Sequence, residues 1–304
     1  MTGVLQLTGH HAGTVEIRGL ASLDTGGSER PVVLMLPGYT GSKEDFAPLL
    51  DPLADNGFRA IAVDLPGQFE SPGPVGEQDY QPDPLGRVIA GLITALPPPV
   101  VLFGHSFGGL VARSAVLAGA RPAGLVLLSS GPGRLPVGPR RQALVLGEPV
   151  LRKQGVQAAY ALLAGLSQQR AAARGAIGAD PAAVSPVASP SPAAPTGPVD
   201  LAAFYRRRFL ASSAAGLLGM GTALQTEPDR VAELADALMT TGIAVAVISG
   251  EADDAWGLDL QAEMARRLGS TLVVIPGAAH SAAVEQPDRL LRAVLPLLRS
   301  WTAR

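Results

Sequence analysis

Residues 99–120, PVVLFGHSFGGLVARSAVLAGA, change from an apolar, β-branched run to a helix-like run within two residues. Ser106 stands at the junction, between Gly104 and Gly108. So abrupt a turn forces its central residue into a backbone conformation that residues other than glycine avoid, and small neighbours must leave room for it. The stretch predicts a strand, a strained turn and a helix, with the Ser106 hydroxyl raised off the sheet beside a helix N-terminus.

Short apolar runs of the same kind recur along the chain. They are rich in Val, Ile and Leu and end in Gly, Pro, Ser or Asp, which is typical of parallel strands covered on both faces. Because helix-like stretches alternate with them, we predict a doubly wound α/β sheet with right-handed crossovers. The predicted strands are 31–36, 59–65, 99–104, 123–130, 242–250 and 270–277, and the predicted helices among them are 43–57, 107–120 and 258–269.

Two regions depart from this alternation. The runs at 4–8 and 14–19 flank a turn and predict an antiparallel hairpin. Between about Gly131 and Ala235 the sequence predicts helices at 148–166 and 199–218, separated by a proline-rich loop at 181–198. We therefore expect a helical insertion within an α/β domain.

Composition excludes several classes of site. The 304 residues are 47% hydrophobic and 16% charged, which is typical of a compact globular chain. A net charge of −2 predicts neither a nucleic-acid nor a membrane partner. The absence of cysteine excludes disulfides, thiolate metal sites and a cysteine nucleophile, and the four histidines are too scattered for a zinc site. Neither a secretory signal nor a membrane span is recognisable, so we expect a cytoplasmic location.

A serine hydroxyl needs a base that takes its proton. His280 is the leading candidate, because it follows the last predicted strand and the carboxyl ends of parallel strands meet at one edge of the sheet. His105 is adjacent to Ser106 in sequence, but the strained turn directs its side chain away from the serine, so we interpret it as structural. An imidazole base needs an acid partner in turn. Asp253 and Asp254 follow the penultimate strand and both qualify, whereas the alternative Asp64 lies in a turn-like stretch.

Five motifs, taken in this order, resemble the α/β-hydrolase superfamily, in particular its serine hydrolases with a helical cap. The resemblance covers nearly the whole chain, roughly residues 14–130 and 236–300. The motifs are the oxyanion loop LPGYTGS (36–42), the loop DLPGQFESPG (64–73), the nucleophile elbow GHSFGG (104–109), the acid motif GEADD (250–254) and the histidine loop GAAHSAAVEQPDRL (277–290).

The resemblance implies a mostly parallel eight-stranded sheet. It divides the chain into a first core part at 1–130, a cap or lid at 131–235 and a second core part at 236–304. It also implies a catalytic triad of Ser106, His280 and Asp253, in the chain order of the family.

The resemblance also implies an oxyanion hole formed by the backbone N–H groups of Tyr39 and Phe107. Two positions depart from the family pattern, Pro37 in place of histidine and Phe69 in place of glycine, and each reshapes a wall of the pocket. The side chains predicted to contact the substrate are those of Gln68 and Trp256.

The predicted activity is hydrolysis of carboxylic esters, or of related lactones or thioesters, without a cofactor or a metal. We expect a small to medium apolar acyl substrate and a monomer or homodimer. Tyr205–Phe209, YRRRF, either attracts an anionic substrate tail or is the solvated face of a cap helix. Two alternatives use the same residues: a non-hydrolytic, carbon–carbon-cleaving or perhydrolase enzyme, and a non-catalytic ligand-binding protein.

Overall fold

The centre of the fold is a sheet of eight strands. The structure, a computed structural model, describes residues 10–176 and 201–303, with the backbone alone described at 167–176. The strands are β1 (Gly13–Ile17), β2 (Leu20–Asp24), β3 (Val32–Leu36), β4 (Arg59–Val63), β5 (Val100–His105), β6 (Gly124–Leu128), β7 (Ala244–Gly250) and β8 (Leu272–Ile275). Their order is β1-β2-β4-β3-β5-β6-β7-β8. The β1–β2 and β2–β4 pairs are antiparallel and the other pairs are parallel.

Helices cover both faces of the sheet, because alternate residues of each buried strand point in opposite directions. In β3, Val33 and Met35 belong to one apolar cluster, and Leu34 and Leu36 belong to another. The helices are α1 (Ala47–Asp55), α2 (Pro82–Ala95), α3 (Phe107–Leu117), α4 (Pro139–Ala176), α5 (Leu201–Ala211), α6 (Ala214–Thr226), α7 (Val231–Thr241), α8 (Leu258–Arg267), α9 (Ala282–Glu285) and α10 (Pro287–Thr302). Helices α1, α9 and α10 pack on the first cluster, and α2, α3, α6, α7 and α8 on the second. The predicted doubly wound α/β fold is confirmed.

The described chain begins with a hairpin that the sequence did not predict. Strand β1 pairs with β2 through a tight turn at Arg18 and Gly19, whose φ values of 51° and 81° suit a two-residue hairpin loop. The partner predicted for it, 4–8, lies outside the described residues. Strand β2, LASLD, was missed because Ser22 and Asp24 interrupt its apolar pattern.

Between β6 and β7 the described residues form four helices, α4 to α7. The helix predicted at 148–166 is part of the longer α4, which is interrupted at Gly155, where φ is 82°. The single helix predicted at 199–218 is in fact two helices, α5 and α6. Ser213 separates them, and its hydroxyl accepts the backbone N–H of Gly216 as an N-cap. The proline-rich loop predicted at 181–198 lies outside the described residues.

These four helices divide by what they pack against. Helices α4, α5 and α6 share a small apolar cluster that includes Leu151, Phe209 and Leu217. In α7, Val231 and Leu234 belong to the large cluster against the sheet. Helix α6 contributes to both clusters, because Met220, Ala223 and Leu224 also belong to the large one. No helix in the described ranges is both long enough and apolar enough to span a membrane.

Candidate active site

Ser106 lies at the turn between β5 and α3, as its sequence context predicts. Its φ of 55° and ψ of −120° belong to a region that residues other than glycine rarely occupy. A Cβ atom at Gly104 would lie 2.5 Å from the carbonyl oxygen of Gly108, and one at Gly108 would collide with that of Leu36. The Ser130 hydroxyl donates to the carbonyl oxygen of Ser106 over 2.8 Å. Close backbone packing thus holds the strained turn.

Ser106, His280 and Asp253 meet at the carboxyl edge of the sheet. His280 Nε2 lies 2.9 Å from Ser106 Oγ, and His280 Nδ1 lies 2.8 Å from Asp253 Oδ1. All three residues are buried. With Nδ1 protonated toward the carboxylate, Nε2 is free to accept the proton of the serine hydroxyl. The arrangement can therefore activate an oxygen nucleophile.

The Asp253 carboxylate is held from several sides. Oδ1 also accepts the backbone N–H of Ala255 over 2.9 Å, and Oδ2 accepts Nε2 of the buried Gln261 over 3.0 Å. Burial by itself raises the pKa of Asp253, but the hydrogen bond and charge of His280, with these other donors, bring it below its ordinary value. The group facing His280 is accordingly an anion at neutral pH.

The two alternative acids stand elsewhere. Asp254 is exposed, and its Oδ1 accepts from Arg140 Nε over 2.8 Å. Asp64 is fully buried and pairs with Lys43 Nζ over 2.9 Å. Burial is the largest influence on Asp64 and raises its pKa to about 6, against the opposing charge of Lys43. Neither carboxylate contacts His280.

His105 is hydrogen-bonded to the backbone of the histidine loop (277–290). Its Nε2 donates to the backbone carbonyl oxygen of His280 over 2.8 Å, and the two ring centroids are 5.0 Å apart. Burial, followed by the charge of His280, lowers the pKa of His105 to about 4. This placement agrees with the structural role predicted for His105.

Because folded His105 resists protonation, it is expected to make the fold acid-sensitive. Its stabilisation is complete above pH 6.5, its ordinary pKa, and is lost as pH falls toward about 4, since the unfolded chain binds the proton first. The full difference is worth about 3 kcal/mol. In His105→Gln the amide can donate to the same carbonyl oxygen but cannot titrate. Urea unfolding of both proteins at neutral pH and at pH 4.5 measures the effect. Between these two pH values His105→Gln should lose less unfolding free energy than the wild type. Equal losses in the two proteins would contradict this.

The backbone of Gly38 closes over Ser106. A Cβ atom at Gly38 would lie 3.2 Å from Ser106 Cβ and 3.5 Å from Oγ. Tyr39 follows Gly38, and Phe107 follows Ser106 as the first residue of α3. Within the described part of the chain, neither backbone N–H donates a hydrogen bond. Two such donors beside a nucleophile can bind a developing oxyanion.

The predicted substrate contacts, Gln68 and Trp256, are both occupied by the protein itself. The Gln68 amide bonds to the backbone of Leu65 and Gly38. Trp256 is fully buried, and its N–H donates to the carbonyl oxygens of Gly133 and Arg134, each over 3.2 Å. Neither residue offers a free polar group, so their placement gives no support to direct substrate binding.

Phe69, which departs from the family glycine, keeps a glycine-like backbone. Its φ is 38°, in the left-handed region that glycine favours. Its ring packs edge-on against Phe204 of α5, with centroids 5.8 Å apart, and Lys43 Nζ lies 4.9 Å from the ring centre. The departure thus joins this loop to the helices between β6 and β7.

Sequence reasoning missed Gln261, which contacts Asp253 Oδ2 and also donates to Ser249 Oγ over 2.8 Å. A signal was present, because helical spacing places Gln261 on the same face as the buried Met264 and Ala265. A polar residue on an apolar helix face requires a buried partner.

Comparisons with known proteins agree with this architecture. The sequence model of the alpha/beta hydrolase family matches residues 33–293. A putative 2-succinyl-6-hydroxy-2,4-cyclohexadiene-1-carboxylate synthase of Bacillus subtilis (strain 168) is 28% identical over 296 residues, which cover 92% of this chain and 94% of that protein. Two solved structures, at under 25% identity, share the fold. An esterase from Exiguobacterium antarcticum has a TM-score of 0.68 at 18% identity, covering 93% of this chain and 97% of its own. The enol-lactonase of Burkholderia xenovorans LB400 has a TM-score of 0.67 at 19% identity, covering 94% and 99%.

The family match spans most of the chain, and the sheet carries a strand–turn–helix elbow. The protein therefore belongs to the alpha/beta hydrolase family, and its general role is that of a hydrolase.

Proposed function

We propose that the protein hydrolyses carboxylic esters through an acyl-enzyme on Ser106. The observation that carries the proposal is the unbroken hydrogen-bond path from Ser106 Oγ through His280 to Asp253, at 2.9 and 2.8 Å. A buried serine is a poor nucleophile unless a positioned base removes its proton, and this path supplies one. Lactones and thioesters present the same acyl carbon and belong to the same proposal.

The proposed reaction has two halves. Ser106 Oγ attacks the acyl carbon while its proton passes to His280 Nε2, and Asp253 stabilises the resulting imidazolium. The tetrahedral oxyanion accepts hydrogen bonds from the backbone N–H groups of Tyr39 and Phe107. Each of these bonds stabilises the transition state by about 3–4 kcal/mol. The imidazolium then protonates the leaving alkoxide. In the second half, water attacks the acyl carbon while His280 Nε2 takes its proton, and the imidazolium then returns a proton to Ser106 Oγ as the bond to the acyl carbon breaks and the acid leaves.

We further propose that α4, α5 and α6 form the cap predicted at 131–235, whereas α7 belongs to the core. The apolar cluster shared by the first three helices supports this division, as does the packing of α7 on the sheet. Helix α6 joins the cap to the core, because its Met220, Ala223 and Leu224 belong to the core cluster. Tyr39 connects the two parts, because its hydroxyl donates to the carbonyl oxygen of Leu217 over 2.9 Å. A largely apolar cavity adjoins it, lined in part by Tyr39, Leu144, Leu151, Phe209 and Leu217. Neither Ser106 nor His280 lines this cavity, so it does not bear on the small to medium apolar acyl substrate expected from the sequence, which stays a prediction.

A non-hydrolytic reaction on the same three residues is the second candidate. The Bacillus subtilis relative that aligns over 92% of this chain is called a synthase, whereas the structural relative from Exiguobacterium antarcticum is called an esterase. Both reactions can use a serine activated by histidine, so the distinction depends on whether an acyl group is transferred to Ser106.

The experiment that tests the proposal uses a panel of p-nitrophenyl esters, lactones and acyl thioesters. Each is mixed with the protein, quenched in acid during turnover and analysed by intact-mass spectrometry and peptide mapping. We expect steady release of p-nitrophenol and a mass increase of one acyl group on the peptide that contains Ser106. Turnover without an adduct in this peptide would still be ester hydrolysis, but it would contradict the acyl-enzyme on Ser106. Labelling of Ser106 by a fluorophosphonate, without turnover of any ester, lactone or thioester, would favour the ligand-binding alternative.

A further inference from the structure

Gln68 follows a tight turn after β4 and is only 2% exposed. Its backbone N–H donates to the carbonyl oxygen of Leu65 over 2.9 Å, which closes a turn with Pro66 and Gly67 at its centre. Gly67 has a φ of 75°, as the third residue of a type II turn requires. Gln68 Oε1 accepts the Leu65 backbone N–H over 3.1 Å. The side chain is thus fixed by its own turn, and its amide nitrogen has a defined direction.

That amide nitrogen donates hydrogen bonds to the oxyanion loop (36–42), whose Gly38 lies against Ser106. Gln68 Nε2 lies 2.7 Å from the carbonyl oxygen of Gly38 and 3.1 Å from that of Tyr39. The Gly38 oxygen also accepts the backbone N–H of Gly41, over 3.0 Å and from within the same loop. Gln68 is therefore the contact that ties this peptide to a different part of the molecule.

The bond to Gly38 has a geometric consequence for Tyr39. The carbonyl of Gly38 and the N–H of Tyr39 belong to one planar trans peptide, so they point in opposite directions. Whatever fixes the carbonyl therefore also fixes the N–H. That N–H is one of the two oxyanion donors in the proposed function, and such donors act by being oriented before the charge develops.

We propose that Gln68 is a positioning residue for the oxyanion hole, acting through the Gly38–Tyr39 peptide. The inference rests on the proposed function, since it assigns a second task to the same site. It replaces the substrate contact expected for Gln68 from the sequence. The task requires an N–H or O–H donor, because the two atoms that the amide nitrogen faces are both carbonyl oxygens.

The first test is Gln68→Met, which keeps the length of the side chain and removes the donor. We expect kcat for p-nitrophenyl esters to fall about 10- to 100-fold, less than the 10²–10³-fold loss that follows removal of a donor outright. KM should stay within about threefold, because the ground-state carbonyl depends little on the hole. The matched control is Gln81→Met, since Gln81 Nε2 also donates to a backbone carbonyl, that of Gly219, over 2.8 Å. Its kcat should change less than about twofold.

The second test is Gln68→Glu, in which only the protonated acid can donate, through its single O–H, to one of the two carbonyl oxygens. The ratio of variant to wild-type kcat is expected to rise as pH falls, because the donor returns while effects common to both proteins cancel. A merely structural loss would give a ratio that does not change with pH. This test also decides the case if Gln68→Met fails to fold, which circular dichroism would show.

A fluorophosphonate separates this inference from the proposed function. Ser106 Oγ attacks phosphorus, the P–F bond breaks, and fluoride and the serine proton leave, while the phosphoryl oxygen occupies the oxyanion hole. We expect the labelling rate to fall in Gln68→Met in proportion to kcat. Labelling of the wild type without ester turnover would reject the esterase proposal and leave this rate as the measure of Gln68. Equal kcat, equal labelling rates and a flat Gln68→Glu ratio would overturn the positioning role.

Discussion

Ser106→Ala is expected to lower kcat for p-nitrophenyl acetate about 10⁶-fold, leaving only the residual catalysis that binding and the oxyanion donors provide. Alanine accepts the same backbone conformation as serine, so the turn should persist with its φ near 55°. The atom lost is Ser106 Oγ, which lies 2.9 Å from His280 Nε2. Among the described residues, no other hydroxyl group contacts that nitrogen. Initial rates with the ester in excess would measure the loss.

Ser114→Ala is the matched control for this experiment. Ser114 lies in α3, the helix that follows Ser106, is also buried, and donates to Asp83 over 2.8 Å. Its removal should cost about 1 kcal/mol of unfolding free energy and leave kcat within about twofold of the wild type. A Ser106→Ala protein with the wild-type melting temperature and with more than a tenth of the wild-type activity would exclude Ser106 as the nucleophile.

The parallel strands and the meeting of Ser106 with His280 could be predicted because both follow from local pattern. An apolar run marks each parallel strand, and the carboxyl ends of such strands share one edge wherever they stand in the sequence. Residues 106 and 280 are 174 positions apart, yet each needed only its own flanking strand to be placed. The same logic could not separate Asp253 from Asp254, since neighbouring residues leave the same strand end. Their contacts distinguish them, with Asp253 facing His280 and Asp254 facing Arg140.

The roles of Gln68 and Trp256 could not be predicted, because they depend on partners that no local pattern reveals. The amide of Gln68 is occupied by Gly38, 30 residues earlier, and the indole of Trp256 by Gly133, 123 residues earlier. A loop motif can place Gln68 at the end of a strand, but whether a polar atom is free for a substrate is decided only by tertiary contacts. The break between α5 and α6 was missed because residues 199–218 have one helix-like pattern throughout. Ser213 interrupts it by capping α6 with its hydroxyl.

Asp253→Asn is expected to lower kcat about 10⁴-fold while leaving KM within about threefold. Both oxygens of Asp253 accept hydrogen bonds, Oδ1 from His280 and Oδ2 from Gln261. Asparagine presents one acceptor and one donor, so one of these bonds must become a repulsion. If the amide nitrogen faces His280, the imidazole must accept at Nδ1 and carry its proton on Nε2, where it can no longer take the proton of Ser106. If the amide nitrogen faces Gln261 instead, the Gln261 side chain must turn, and the residue at 253 loses its support as well as its charge.

Asp254→Asn is the matched control, because it makes the same chemical change at the next residue. Asp254 is exposed and its partner Arg140 is exposed too, and such pairs contribute at most about 1 kcal/mol. We expect kcat within about twofold of the wild type and little change in melting temperature. Stopped-flow measurement of the acylation rate in both variants locates the defect in proton transfer, since binding is unaffected. A large loss in Asp254→Asn together with an active Asp253→Asn would reverse the assignment of the acid.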